Sequence, residues 1–299
     1  MLFSQISQTI SEWLEDDAPT LSAALAYYTV FSMAPLLLIC MAIAGFFLGE
    51  EAARGQVFAQ LSSLIGTDGA RAMQDMVQNS GERPHASMIA TIVGVVTLLI
   101  GASGVFGQLQ ASLNRIWKVK PLPGGTVRRL IMSRFLSFGF TLAIGFLLLV
   151  SLLVSTAVTF VVNWMGGLSP ELGVFAKAAD ILLSLASITF LFALIFKILP
   201  DIHIAWRDVL GGAFLTAALF TVGKFALGWY LGTSGVGSTF GAAGSVVVLL
   251  LWVYYSSLIL FLGAEWTQVF ARRKGAHITP ASGSIFESKN HLADESIAH

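Results

Sequence analysis

Lys224 stands alone in an otherwise apolar run of this sequence. A charge held in hydrocarbon costs about 2.5–3.5 kcal/mol on insertion scales, so it needs a partner or a purpose. Counting back from Gly232 along a helix puts Lys224 about 12 Å below the nearer surface. Two readings follow. It snorkels or sits in a buried pair, or it lines a polar cavity and meets an anionic group. Asp180 lies in the same half of its own apolar run and is the preferred counter-ion. Glu265, close to Arg272, lies at another depth and is expected to form a structural ion pair with Arg207. Tyr27, Tyr28 and Ser32 add hydroxyls ahead of Pro35, which cannot donate to the carbonyl of Phe31 and so leaves a kink or an exposed acceptor. Tyr254 is deeper than an interfacial belt would place it, and its hydroxyl needs a partner. Lys224, Asp180, Tyr27, Tyr28, Ser32 and Tyr254 form the candidate polar cavity, with packing as the alternative for each hydroxyl.

Catalytic chemistry has little to work with. Cys40 is the one cysteine and lies in an apolar run, so it supplies neither a disulfide nor a metal-site spacing. His85, His203, His277, His291 and His299 are scattered over loops and tail, without a metal-binding motif. The glycine-rich stretch 232–245 has no strand before it and no lysine after a terminal glycine, so it matches no nucleotide fingerprint. It reads as a tight connection or a re-entrant segment. No catalytic residue, metal, cofactor or nucleic-acid partner is expected.

The elements that must carry these residues are membrane helices. The 299 residues are 56% hydrophobic and 11% charged, against about 25% charged in soluble domains. Mean hydropathy is +0.78. A span needs roughly 20 apolar residues, and six runs qualify, at about 21–48, 87–113, 135–164, 178–199, 209–231 and 245–270. The fold class is therefore all-α, a polytopic bundle of six spans, since runs this long lack the alternation of barrel strands. Asp17 with Pro19 marks the start of the first helix. Acidic Glu12, Glu15, Asp16 and Asp17 and the lack of a basic region argue against a cleavable signal. Residues 1–18 form an N-terminal segment, 19–272 the membrane domain and 273–299 a polar tail expected to be disordered. In the first outer loop, apolar residues from Val57 to Val77 recur at helical spacing and suggest short amphipathic helices.

Lys and Arg set the orientation. Arg115, Lys118, Lys120, Arg128, Arg129 and Arg134 follow the second run, Lys197 and Arg207 flank the fourth connection, and Arg272, Arg273, Lys274 and Lys289 end the chain. The opposite side carries Arg54, Arg71, Arg83 and Lys177. Both termini are thus expected in the cytoplasm. Arg115, Lys118, Lys120, Arg128 and Arg129 are candidate contacts for anionic headgroups, at about 1 kcal/mol each, although topology alone would place the same charges there. In the second run, Gly101, Ser103, Gly104 and Gly107 precede Gln108, Gln110 and Asn114, a pattern for close helix packing with amide hydrogen bonds between helices. Gly212, Thr216 and Ala217 repeat the small-residue spacing.

Four separated segments stand out in order along the chain. They are Ala23-Ala-Leu-Ala-Tyr-Tyr-Thr-Val-Phe-Ser32 with Pro35, and Asn114-Arg-Ile-Trp117. Leu199-Pro200 with Trp206-Arg-Asp-Val-Leu-Gly-Gly-Ala213 follows, then Leu251-Trp-Val-Tyr-Tyr-Ser256 with Gly263-Ala-Glu265. Over about residues 15–272 the chain thereby resembles the YihY/BrkB family of bacterial inner-membrane proteins. The resemblance implies a six-helix inner-membrane protein. Members have been called virulence or serum-resistance factors, some have been linked to moving lipid or lipopolysaccharide precursors, and others carry a ribonuclease BN label. A nuclease needs metal-holding carboxylates or a histidine acid–base pair, which this sequence does not offer. The expected function is a transporter or flippase-like protein for an amphiphilic, anionic substrate such as a lipid, with membrane lipids as its partners. The alternative is a non-transporting scaffold or envelope-integrity factor. No oligomeric state is assigned.

Overall fold

A computed structural model describes residues 2–30, 32, 49, 104–122, 170–235, 244–281 and 283–286, with isolated positions at 55, 58, 62, 70, 71 and 74; at 2, 170–180 and 245 the backbone alone is described. The protein is mostly helical. Helix α1 spans Leu2–Glu15. Its apolar residues Phe3, Ile6, Ile10 and Leu14 recur every three or four positions and are exposed, which makes α1 an amphipathic element. The chain turns at Asp16 and Asp17, where Asp17 adopts a left-handed φ of 58°. Helix α2 then begins at residue 18 and continues through 30, the start that Asp17 and Pro19 signal. The Asp17 carboxylate accepts from the Thr20 hydroxyl at 3.0 Å.

Helix α3 covers residues 104–116 and ends in a turn at Trp117 and Lys118. Strand β1, Val119–Pro121, follows. Helices α4 (Pro170–Ile198), α5 (Trp206–Ser234) and α6 (Gly244–Arg273) form the packed centre. Each carries a stretch long and apolar enough to cross a membrane, at Ile181–Ile198, Trp206–Ser234 and Val246–Arg273. These coincide within a few residues with the last three expected spans. Of the first two, residues 18–30 and 104–116 are helical. The third, 135–164, lies outside the described residues, as does most of the first outer loop, where residues 55, 58, 62, 70, 71 and 74 are helical.

The α5–α6 contact is built from small residues. A Cβ added at Gly212 would meet the Thr267 side chain, with its Cβ at 2.8 Å, and one added at Gly263 would meet Thr216 in the same way at 2.8 Å. The two Gly-x-x-x-Thr segments thus face each other in antiparallel register, as small-residue packing in membranes allows. Both threonine hydroxyls donate back to the carbonyl four residues earlier, Thr216 to Gly212 at 2.7 Å and Thr267 to Gly263 at 2.6 Å. Both hydroxyls at the crossing are thereby satisfied within their own helices. Phe192, Phe220 and Trp252 continue the contact across α4, α5 and α6, with ring centroids 5.7 and 6.0 Å apart.

One end of the molecule is tied by short strands. β2 (Ile202–His203) pairs antiparallel with β3 (Thr279–Pro280), and β1 pairs with β4 (Ser284–Phe286). The tail expected to be disordered from 273 is therefore ordered over these strands. Its polar sequence hides the order because backbone pairing, not side-chain burial, holds it. Asp201 joins the pieces. Its carboxylate accepts from Gln110 at 3.2 Å and Asn114 at 2.8 Å, and its N–H donates to Asn114 Oδ1 at 2.8 Å. Its carbonyl accepts from Ala281 N–H at 2.9 Å and Ser284 Oγ at 3.1 Å.

Candidate functional site

Lys224 lies in the middle of α5 and is half-buried. On one side of it are the exposed Val222, Phe225, Trp229 and Tyr230, with Trp229 73% exposed, an apolar face suited to lipid. On the other is Gly223, where an added Cβ would lie 2.7 Å from the Tyr255 hydroxyl. The Lys224 ammonium is 5.4 Å from the Phe225 ring centroid, within cation–π range. Lys224 thus sits where the lipid face meets the α5–α6 contact. Tyr255, the neighbour of Tyr254, is the aromatic placed beside this segment, and Gly223 makes room for it. Tyr254 is half-buried one residue away. Asp180 belongs to α4, and its side chain falls outside the described residues, so its pairing with Lys224 remains a proposal.

The hydroxyls of α2 belong to a different helix pair. Tyr27 is 58% exposed and Tyr28 is also exposed, and the two rings meet edge to face with centroids 5.9 Å apart. A Cβ on Gly104 of α3 would lie 2.8 Å from the Tyr28 ring, so Tyr28 covers the close approach of α2 and α3. Ser32 is buried and donates to the Thr29 carbonyl at 3.0 Å. Packing accounts for Ser32 and Tyr28, while Tyr27 faces outward.

Glu265 is the side chain whose surroundings differ most from expectation. Arg207 is exposed and forms no ion pair with it. Both lie at the same end of their helices, but Glu265 lies on the face of α6 opposite Gly263 and Thr267, toward the turn after α1. It is fully buried, at 0% exposure, among Asp16, Lys118 and Glu12. Lys118 pairs with Asp16, and Arg272 with Glu12. Arg273 anchors α1 further, through Gln8 at 2.6 Å and the Ser4 carbonyl at 3.1 Å. Lys118, like Asp17, is a non-glycine residue with left-handed φ, at 53°. Such conformations cost about 1–3 kcal/mol and persist where the surroundings demand them; here Lys118 is itself a member of the Asp16–Lys118 pair and Asp17 adjoins it. Lys118 is thus paired within the protein while its side chain stays 38% exposed. Arg115 and Lys120 are exposed, and Arg128 and Arg129 lie outside the described residues. Among those described, no group of three or more His, Cys, Asp or Glu side chains is disposed to hold a metal ion.

The sequence is similar to several bacterial membrane proteins. A UPF0761 membrane protein of Stenotrophomonas maltophilia is 29% identical over 272 residues, 87% of this chain and 59% of the relative. One of Tolumonas auensis is 27% identical over 261 residues, covering 84% and 80%. One of Mannheimia succiniciproducens is 28% identical over 255 residues, covering 83% of each. The chain spans less than two-thirds of the length of the Stenotrophomonas relative and of its Ralstonia nicotianae counterpart. No solved structure matches. The family described as virulence factor BrkB matches residues 9–284, from the middle of α1 through the first residue of β4, and the chain belongs to that family of membrane proteins.

Proposed function

We propose that the protein binds and moves an anionic amphiphile, such as a lipid, along the face of α5 in the bacterial inner membrane, without a catalytic step. The observation that carries this reading is the setting of Lys224. A cation within an apolar span, half-buried beside an open apolar face, can meet an anionic headgroup while the acyl chains stay against Val222, Phe225 and Trp229. Asp180 is the proposed counter-ion when no substrate is present, and the exposed Tyr27 is a further polar contact.

The basic residues support an inside-facing orientation for one end. α1, the turn at Lys118, the Asp201 turn and strands β3 and β4 meet there, together with Arg115, Lys197, Arg207, Arg272, Arg273 and Lys274. By the positive-inside rule this end is cytoplasmic, with both termini on that side. The exposed Arg115 and Lys120, with Arg128 and Arg129, are proposed headgroup contacts.

The test is movement of a fluorescent anionic phospholipid between leaflets of liposomes holding the purified protein. Wild type is expected to accelerate exchange, and Lys224→Ala to reduce the rate at least about tenfold while eluting as the same particle. Absence of acceleration by wild type, or equal rates for both proteins, overturns the reading. The second reading, a non-transporting scaffold, is favoured by the way span hydroxyls are satisfied locally: Thr189, Thr216, Thr221, Ser256, Ser257 and Thr267 all donate to carbonyls of their own helix. It expects Lys224→Leu to fold and to restore a deletion strain fully.

A further inference from the structure

Three carboxyl groups and two cations meet where α1 packs against the end of α6. Glu12 is matched by Arg272, and Asp16 Oδ1 by Lys118. Among the described residues, Glu265 has no cation of its own. It is fully buried, the Asp16 carboxyl lies within hydrogen-bonding reach, and both its oxygens, together with Asp16 Oδ2, lack a donor. Two carboxylates cannot bond each other, since each is acceptor only. Fully ionised, the cluster would hold one excess negative charge out of water, which is costly unless it is paired. Among the described residues no group of three or more His, Cys, Asp or Glu side chains is disposed to hold a metal ion, and Lys118 already occupies one side. A single proton meets both deficits, because it removes the excess charge and supplies the missing donor.

We propose that Glu265, buried beside Asp16, is a proton-binding site that couples docking of the N-terminal helix to proton occupancy. The site exists only when three distant segments meet: the turn after α1, the turn at Lys118 and the last third of α6. With the proton in place, Glu265 donates to the Asp16 carboxylate and α1 is held against α6, assisted by Arg272 with Glu12 and Arg273 with Gln8. Without it, the two carboxylates repel across a site that excludes water. The docked state therefore binds one more proton than the undocked state, and docking weakens as pH rises. Lys118 and Arg272 moderate the repulsion but are already committed, and Glu12 adds to it. This goes beyond lipid movement and does not require it.

The test uses full-length protein in nanodiscs and two readouts. The first is infrared absorption in the protonated-carboxyl region at neutral pH. Wild type should show a band that shifts in heavy water, and Glu265→Gln and Asp16→Asn should each lose it. The second is the distance between spin labels at Ser11→Cys on α1 and Ala205→Cys before α5, in a Cys40→Ser background. It should lengthen with rising pH in wild type. Glu265→Gln, which keeps a donor in the site at every pH, should hold the short distance throughout, and Asp16→Asn should do the same. Absence of the infrared band overturns the proposal. So does an unchanged pH response in both variants, or a short distance restored by sodium at high pH, which would make the ligand a metal cation. If either variant fails to fold, the other decides.

Discussion

At Gly212 and Gly263, a hydrogen atom is all that fits. A methyl group at either position would strike the facing threonine, whose Cβ stands 2.8 Å from where it would lie. Forcing extra atoms into a packed contact costs about 1–3 kcal/mol. Gly212→Ala and Gly263→Ala should each lower stability by about that amount in detergent unfolding. Gly228→Ala, which meets nothing within 4 Å, should be neutral. Thr267→Ala added to Gly212→Ala should recover part of the loss, because it removes the hydroxyl that the new side chain strikes first. Equal effects for Gly212→Ala and Gly228→Ala would refute the packing argument. The spacing of Gly212, Thr216 and Ala217 made this contact legible as a pattern, though not its partner. Glu265 was misassigned for a related reason. Counting along one helix gives depth but not direction, and the groups that surround Glu265 come from the other end of the chain.

Among the elements, α4, α5 and α6 were legible because span length is dictated by bilayer thickness and an uninterrupted apolar run has few other solutions. Helix α1 was not, since its apolar residues are too few to raise the local average and matter only through their period. Around its axis three faces can be told apart. Phe3, Ile6, Ile10 and Leu14 are exposed and apolar, Gln8 and Glu12 bond the end of α6, and Ser11 and Glu15 face outward between them. An amphipathic helix beside membrane spans lies in the interface with its apolar stripe toward the acyl boundary. Spin labels at Ile6, Ile10 and Leu14 should therefore be relaxed strongly by oxygen and weakly by a water-soluble nickel chelate. Labels at Ser11 and Glu15 should show the reverse. A chelate-accessible stripe would place α1 in water and remove it from the lipid contacts.

Over the whole molecule, the basic end is knitted from segments that no local pattern announces. Asn114 belongs to a stretch that reads as an interhelical amide contact, and its partner proves to be a turn, Asp201, rather than another helix. The strands that follow are two or three residues long and carry no hydrophobic signature, so the sequence reads as disordered where the backbone is in fact paired. The consequence is a relay of support in which Asn114 fixes Asp201, and the Asp201 carbonyl in turn holds Ala281 and Ser284. Asn114 is buried, so Asn114→Ala strips a donor from the Asp201 carboxylate and an acceptor from its N–H, a loss of about 1–3 kcal/mol for each group left unpaired. Because α5 and α6 are held by their own crossing, that loss should stay at the basic end. Hydrogen exchange should quicken at the amides of Leu122, Ala281 and Ser284, which pair across this end, and remain unchanged through the centre of α5 and α6. Uniformly faster exchange would mean that Asn114 supports the whole bundle, and no change at Ala281 would mean that the tail is held by its strands alone.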